Sequence, residues 1–186
     1  MRSWRSVSSA DRFRALTWPL LTCGLLTLLL TLIFANAAFS QIFDSETKLR
    51  NTVKIPAAIQ AQLERSEEVA QCLRQGDENT RFSPSWFQAT KIDLNDDGRS
   101  EYVVKSAKDC LYGPRAATWW IFSPSGRGFR QVFYESVISF ALQKRRTHGF
   151  RDIRTETVMM NIIRNTWRYD GREYKLVKTR IIEPGK

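Results

Sequence analysis

The pattern of apolar and polar positions sets the first part of the chain apart from the rest. Residues 18–39 are almost entirely apolar, and four arginines precede them. A basic start, an apolar core and small residues near Ala37 and Ser40 are typical of an export signal, with cleavage preferred before Gln41. An uncleaved signal anchor is the alternative, because about 20 apolar residues span a bilayer. In both cases residues 1–40 predict export to the periplasm or beyond, and the uncleaved form would be anchored in the inner membrane.

After the apolar run, an irregular segment is followed by a helical period. Residues 41–55 show no clear period, which predicts a tether or a loosely docked arm. Pro56 suits the first turn of a helix, and residues 57–75 contain no Gly or Pro. Apolar side chains recur there at helical spacing, and Gly76 is suited to end the helix. The pattern predicts one helix that packs one apolar stripe on a core.

Downstream of this helix the pattern is that of short strands and turns. Residues 118–122 form an unbroken apolar, β-prone run, which predicts a central strand covered on both faces. Asp170-Gly171 favours a two-residue hairpin turn near the end of the chain. Residues 56–186 are therefore predicted to form a single small α+β domain. It would consist of one N-terminal helix and an antiparallel β-meander of about seven short strands.

An acidic run lies between two of these strands. The sequence from Asp93 to Glu101 is DLNDDGRSE, with side-chain oxygens at positions 1, 3, 5 and 9. Hard cations such as Ca²⁺ are held by about six to eight oxygens, and Gly98 at position 6 permits a sharp turn. An EF-hand would need Glu at position 12, where this chain has Val104. The alternative is a plain polar hairpin turn, although four carboxylates in nine residues repel each other without a cation.

The acidic run resembles the calcium loops of FG-GAP and VCBS-type repeats, in which Asp-x-Asp/Asn-x-Asp-Gly-x-x-Asp/Glu precedes an apolar strand. Here that strand is Tyr102–Val104. The resemblance implies a propeller-blade-like arrangement of strands and Ca²⁺ as the cofactor. It implies these ligands: the side chains of Asp93, Asn95, Asp97 and Glu101, the backbone carbonyl of Arg99, and water. The last ligand of the pattern is usually Asp, so Glu101 departs from it. Outside the loop, residues 86–178 also resemble small secreted bacterial proteins built on such β units, with low specificity.

Two cysteines follow the predicted signal. Cys72 and Cys110 are an even number in an oxidising compartment, so we predict that they form a disulfide. Two unpaired buried thiols are the alternative. A zinc site is disfavoured, because the chain has no Cys-x-x-Cys pair and His148 is its single histidine.

Charge adds a second candidate site. The chain has 29 Lys and Arg against 19 Asp and Glu, and four Arg and one Asp precede residue 41, so the rest carries +7. A cluster of cations is predicted to bind anions or a partner, with a solvated basic face as the alternative. It consists of Lys144, Arg145, Arg146, Arg151 and Arg154. For an exported domain we expect an envelope or secreted protein, or an anionic envelope component, rather than nucleic acid. Membrane contact is expected only through an uncleaved N-terminal segment.

Motifs for catalysis are scarce. His148 lies among cations, which disfavour an imidazolium, and the chain has no HExxH, Gly-x-Ser-x-Gly or Gly-rich phosphate loop. We therefore expect a calcium-stabilised, disulfide-bonded, non-catalytic binding or inhibitory module at the cell envelope. The alternative is a secreted or envelope-anchored hydrolase that acts on cell-wall or glycan substrates.

Overall fold

The computed structural model describes residues 41–111, 113 and 115–183, and the predicted signal or anchor in residues 1–40 lies outside them. The described part is a small β-rich domain with two helices and nine strands in two antiparallel sheets. Its helices and strands are β1 (Ile42–Asp44), α1 (Ala57–Glu64), α2 (Glu67–Gln75), β2 (Phe87–Ile92), β3 (Glu101–Ser106), β4 (Ala117–Ser125), β5 (Gly128–Val137), β6 (Ser139–Thr147), β7 (Phe150–Val158), β8 (Ile162–Tyr169) and β9 (Tyr174–Ile182). No helix in these residues is long and apolar enough to cross a membrane.

The prediction of one continuous helix was wrong, because the helix breaks at Ser66. Ser66 has extended backbone angles, and its side chain accepts a hydrogen bond from the N–H of Val69 at 3.4 Å. It is therefore the N-cap of α2, where a serine side chain satisfies a free N–H group. Glu67 and Glu68 follow in the first turn, where negative charge complements the helix dipole. Gly76 caps the end of α2, as predicted.

The prediction of about seven strands was also too low. One additional strand, β1, lies inside the segment predicted as a tether, where Phe43 pairs with Phe140 of β6. A three-residue strand is too short to show a period of two, so it forms through its partner rather than through its own pattern. β3 contains the predicted strand Tyr102–Val104. A hairpin joins β8 to β9 where it was predicted, but its last strand pair is Tyr169 with Tyr174, so the connection has four residues, 170–173, rather than two.

The two sheets have simple orders. The four-stranded sheet has the order β2-β3-β4-β5, so each strand pairs with the next along the chain. The five-stranded sheet has the order β1-β6-β7-β8-β9, which is a meander with the arm strand β1 added at one edge. β9 forms the other edge. The chain passes from one sheet to the other at Ile138, whose N–H donates to the carbonyl of Glu156.

The four-stranded sheet is buried on both faces, which explains the unbroken apolar run in β4. Trp119 and Ile121 pack in a core shared with the five-stranded sheet, where Trp119 lies 5.0 Å from the ring of Phe140. Trp120 and Phe122 point to the opposite face, where they share a core with α1 and α2. Successive side chains of a strand alternate between faces, so both faces call for apolar residues along the centre of β4, from Trp119 to Phe122. The predicted double coverage of this strand is confirmed.

Candidate functional site

The acidic run forms the turn between β2 and β3, and the last strand pair before it is Ile92 with Glu101. Gly98 has a φ of +79°, and Asp96 has a φ of +59°. The left-handed region is readily open to Gly and tolerated by Asp, so both residues suit this tight turn. The turn role predicted for Gly98 is thus confirmed.

Asp93 organises the turn. Its Oδ1 accepts hydrogen bonds from the N–H groups of Asn95 at 3.3 Å and Asp96 at 2.7 Å, and its Oδ2 accepts one from Gly98 at 2.9 Å. Burial alone would raise the pKa of Asp93, but these N–H donors outweigh it and the pKa is lowered. The first predicted ligand is therefore held ionised by the backbone of its own loop.

Asn95 and Asp97 face each other across the turn. The amide Nδ2 of Asn95 donates to Oδ2 of Asp97 at 2.9 Å, and the N–H of Asp97 donates to Oδ1 of Asn95 at 3.2 Å. The N–H of Arg99 donates to Oδ1 of Asp97 at 2.7 Å. The structure therefore links these predicted ligands through short-range hydrogen bonds within one turn.

Glu101 lies below the turn, with a relative exposure of only 1%. Its carboxylate accepts a hydrogen bond from the N–H of Leu94 at 2.8 Å and another from Oγ of Ser123 in β4 at 3.1 Å. Burial raises the pKa of Glu101 in spite of these donors, and the negative charge of Asp97 adds to the effect. Ser123 is a contact that the sequence analysis missed, because it is 22 residues away along the chain.

The fourth carboxylate of the run, Asp96, has a different partner. It forms an ion pair with Arg146, which also donates to the carbonyls of Leu94 at 3.0 Å and Gly149 at 3.1 Å. The N–H of Arg151 donates to the carbonyl of Leu94 at 3.0 Å as well. The acidic turn is thereby fastened to the turn between β6 and β7, and Arg146 neutralises the one acid of the run that was not a predicted ligand.

The other three carboxylates have no charged partner in the part of the chain that the structure describes. Within the described residues, Asp93, Asp97 and Glu101 make no ion pair with Lys, Arg or His. An ionised carboxylate has about four acceptor positions, and the hydrogen bonds above use three on Asp93 and two each on Asp97 and Glu101. Each side chain thus keeps an acceptor position for a cation, so the donor chemistry fits a hard ion such as Ca²⁺. Among the described residues, no group of three or more His, Cys, Asp or Glu side chains is arranged so that it could hold a metal ion.

The predicted cluster of cations is largely engaged within the protein. Arg151 donates to the carbonyls of Gln143 at 3.0 Å and Leu142 at 3.1 Å, and burial lowers the pKa of its guanidinium. Arg145 lies 3.5 Å from the buried Asp152, and Arg154 lies 3.9 Å from Glu156.

Two further residues complete this region. Lys144 is exposed and makes no ion pair with any described residue. His148 lies in the turn with a φ of +48°, and its Nδ1 is 2.9 Å from the carbonyl of Tyr169, to which only a protonated Nδ1 can donate. Arg145, Arg146, Arg151 and His148 thus hold neighbouring turns and strands together.

A cleft of about 370 Å³ lies elsewhere, between the arm and the four-stranded sheet. Lys105, only 7% exposed, lies in it and donates from Nζ to the carbonyls of Asp44 at 3.2 Å, Thr47 at 2.7 Å and Ser45. Burial lowers the pKa of Lys105, and the charge of Asp44 opposes this shift. Among the described residues that line the cleft, Glu46 is the single carboxylate. The described lining therefore offers one acid, the exposed cations Lys48 and Arg115, and a lysine whose donors are occupied.

The predicted disulfide partners are adjacent. Cys72 of α2 and Cys110 of the short 3₁₀ helix Asp109–Leu111 are paired, with their Cα atoms 5.2 Å apart. This separation lies within the usual range of about 4.4–6.8 Å for disulfides. The pair ties the helical layer to the segment between β3 and β4.

Comparison with known proteins adds no relative. No family model, no curated protein and no solved structure matches this chain. The functional argument therefore rests on the residues and contacts described above.

Proposed function

We propose that this chain is an exported, calcium-stabilised, disulfide-bonded, non-catalytic binding or inhibitory module of the cell envelope. One observation carries the proposal: Asp93, Asp97 and Glu101 belong to one hairpin turn of a basic protein, and no described cation neutralises them. The three carboxylates accept hydrogen bonds from backbone N–H groups, from the Asn95 amide and from the Ser123 hydroxyl, which hold the turn but carry no positive charge. A bound cation would supply the missing charge.

Calcium is the cation that the donor set favours. The ligands would be the side-chain oxygens of Asp93, Asn95, Asp97 and Glu101, the carbonyl of Arg99 and water, which are the oxygen donors that Ca²⁺ accepts. Binding would require Glu101 to share its carboxylate between the ion, Leu94 and Ser123. The ion would brace the β2–β3 hairpin, and the four-stranded meander that contains it would correspond to one propeller-blade-like unit within a single α+β domain.

The non-catalytic part of the proposal is supported by the roles of the candidate acids. Glycoside hydrolysis needs two carboxylates on either side of a substrate. Glu101 is enclosed beneath the loop, Asp152 is 2% exposed and lies 3.4 Å from Arg168, and Glu46 is alone in the cleft. The partner would be an envelope or secreted protein or an anionic envelope component. The alternative, a cell-wall or glycan hydrolase, predicts turnover that disappears with one carboxylate outside the loop.

Calorimetric titration tests the calcium part directly. The purified protein is expected to bind one Ca²⁺, and the Asp97→Ala variant is expected to lose that binding. Asp170→Ala is a matched control, because Asp170 also accepts two turn N–H groups, from Arg172 and Glu173 at 2.8 Å, but has no cluster of acids around it. The control is expected to bind Ca²⁺ like the wild type. Absence of heat in the wild type, or equal losses in both variants, would refute the proposal.

A turnover assay separates the two functional classes. The binding-module proposal predicts no release of sugars or peptides when the protein is incubated with purified cell wall, with or without Ca²⁺. Product release that survives Asp97→Ala but not substitution of an acid outside the loop would favour the hydrolase.

A further inference from the structure

One end of the five-stranded sheet is apolar and exposed. It comprises the turn between β7 and β8 and the strand residues next to it, and we call it the apolar end. Met160 is 90% exposed, Met159 75% and Ile181 66%, which is unusual for such large side chains. The apolar end consists of Val158, Met159, Met160, Ile162, Ile163, Ile181 and Ile182, with Asn161 as the polar residue of the turn.

The strand register makes this end apolar on both faces of the sheet. Val158, Ile162 and Ile182 lie side by side across β7, β8 and β9, and the next layer inward contains Ile163 opposite Ile181. Successive layers point to opposite faces, so neither face of the last two layers is polar apart from Thr157. A flat protein partner would cover one face and leave the other in water. A medium that surrounds the apolar end would cover both of its faces at once, so it matches this surface better than a flat partner does.

Cations follow immediately behind the apolar end. The third layer places Arg164 opposite Arg180, and two layers further inward Thr166 lies opposite Lys178. Arg164 is paired with Glu156 at 2.8 Å, whereas neither Arg180 nor Lys178 makes an ion pair among the described residues. The acid nearest to Arg180 in the sequence is Glu183, which directly follows Ile182. The exposed apolar surface is therefore backed by positive charge that the described fold does not neutralise.

The length of the apolar end matches the depth of the interface of a lipid bilayer. Two layers of a strand are about 7 Å long at about 3.3 Å per residue, and the Met159-Met160 turn extends beyond them. Interfacial segments bury their apolar side by about 5–10 Å, between the acyl chains and the headgroups. With the apolar end at that depth, Arg164 and Arg180 would lie at the level of the lipid phosphates.

The charges also disfavour a second copy of this chain as the occupant. β9 is an edge strand, and pairing it with another β9 would bring Lys175, Lys178 and Arg180 of both copies together. Like charges opposite each other destabilise strand pairs, and cations on edge strands oppose edge-to-edge association.

We propose that the apolar end inserts into the surface of an anionic lipid membrane, with the cations behind it bound to headgroup phosphates. The proposal goes beyond the function proposed above. It does not depend on calcium binding or on an N-terminal anchor, and it gives the domain itself a membrane contact. An exported domain meets anionic lipid surfaces in the envelope, so this occupant is available where the sequence predicts the protein to be.

Site-specific fluorescence can test the insertion whether or not residues 1–40 hold the chain on the membrane. One environment-sensitive fluorophore is attached at Met160→Cys and, in a second sample, at Arg172→Cys, both in a Cys23→Ser background. Arg172 is exposed in the β8–β9 turn, at the opposite end of the same two strands, and serves as the matched control. Unfolding midpoints of both labelled proteins are compared with that of the wild type to establish that they are folded.

With vesicles of equal parts phosphatidylglycerol and phosphatidylcholine, the label at position 160 is expected to shift to the blue. Quenchers on the lipid acyl chains are expected to quench it, and the label at position 172 is expected to stay unchanged. With pure phosphatidylcholine the effect at position 160 is expected to be much weaker. The proposal is overturned if the label at 160 stays solvent-like with anionic vesicles or if both labels are quenched equally. A shift at 160 that requires added envelope protein instead of lipid would also overturn it.

Removing single positive charges tests whether the cations behind the apolar end bind headgroup phosphates. Each cation near an anionic surface contributes about a fivefold change in binding, so Arg180→Gln is expected to raise the vesicle concentration at half-maximal shift about fivefold. Arg127→Gln removes the same charge from the exposed β4–β5 turn of the four-stranded sheet, outside the apolar end and outside the predicted cluster of cations, and is expected to have a smaller effect. Equal effects of the two substitutions would show general attraction of a basic protein to the vesicles and would overturn the assignment of the phosphate contacts.

Discussion

The two sheets of this protein are covered to very different degrees. All six residues of β3 in the four-stranded sheet are buried, whereas Tyr174 is the one buried residue of β9 in the five-stranded sheet. The first sheet lies between the helices and the second sheet, and the second sheet has a protein layer on one face among the described residues. The difference indicates that the four-stranded sheet stabilises the fold, while the β8–β9 edge leaves surface available for binding.

The ends of the two sheets also differ in how far the rest of the protein contacts them. The acidic turn of the four-stranded sheet is held by internal hydrogen bonds and by Arg146 from the other sheet. The apolar end of the five-stranded sheet leaves Met160 and Ile181 in solvent. A turn that is fixed from within is suited to bracing the fold. An end that no other described residues cover is suited to contacting something outside it.

The largest contrast is expected from truncating one side chain in each sheet. Trp119→Ala removes a fully buried indole from the core between the sheets and is expected to lower the free energy of unfolding by about 3–5 kcal/mol. Ile181→Ala, on the exposed edge, is expected to change it by less than about 0.5 kcal/mol. Urea unfolding measures both values. Similar losses would contradict the difference in coverage between the two sheets.

The Cys72–Cys110 pair adds a covalent link on the helical side of the four-stranded sheet. It closes a loop with a sequence separation of 38, and its removal by Cys72→Ser with Cys110→Ser is expected to cost about 2–4 kcal/mol. Urea unfolding of the double variant measures this loss. A free-thiol count near two in the denatured, unreduced wild type would refute the disulfide itself.

Lys105 connects the arm to the four-stranded sheet, and its loss is expected to have a smaller effect. Lys105→Met removes a donor shared by the carbonyls of Asp44, Ser45 and Thr47, and it is expected to lower stability by about 1–3 kcal/mol. Hydrogen exchange should accelerate most in β1 and least in β4. Uniform acceleration in both strands would show that the lysine does not act on the arm specifically.

The smallest effect is expected from the pH dependence that Glu101 adds in the absence of metal. Burial raises the pKa of Glu101 above its usual 4.5, so the native state binds this proton more tightly than the unfolded chain does. The contribution of this group to stability therefore decreases as the pH rises from about 4.5 through the raised native pKa. Unfolding in chelator is expected to show this slope in the wild type and not in Glu101→Gln. Parallel pH profiles would contradict it.

Local features of the fold were predictable from sequence, and long-range ones were not. The turn at Gly98, the strand β3 and the end of α2 at Gly76 depend on neighbouring residues, and the patterns identified them. The strand β1 exists because β6 offers it a partner nearly 100 residues away, and the break at Ser66 required recognising a cap inside an apolar stripe. Pairing and capping of this kind leave little trace in hydrophobic periodicity.

The candidate sites divide in the same way. The predicted calcium ligands lie in one turn because they are close in sequence, but the contacts of Glu101 with Ser123 and of Asp96 with Arg146 join distant elements. The apolar end was missed, although the sequence VMMNII at residues 158–163 is a signal that could have found it. Its exposure depends on β9 being an edge strand, which only the sheet order reveals.

The most direct test of the calcium-braced hairpin compares wild type with Glu101→Gln, both in chelator and in Ca²⁺. The Gln side chain can keep both contacts by accepting from Leu94 and donating to Ser123, while it removes the charge. At a hundredfold excess of Ca²⁺ over the dissociation constant, the wild type is expected to gain about 2.7 kcal/mol of unfolding free energy and the variant little. In chelator at neutral pH the variant is expected to be at least as stable as the wild type. Equal gains in the two proteins, or no gain in the wild type, would contradict the account.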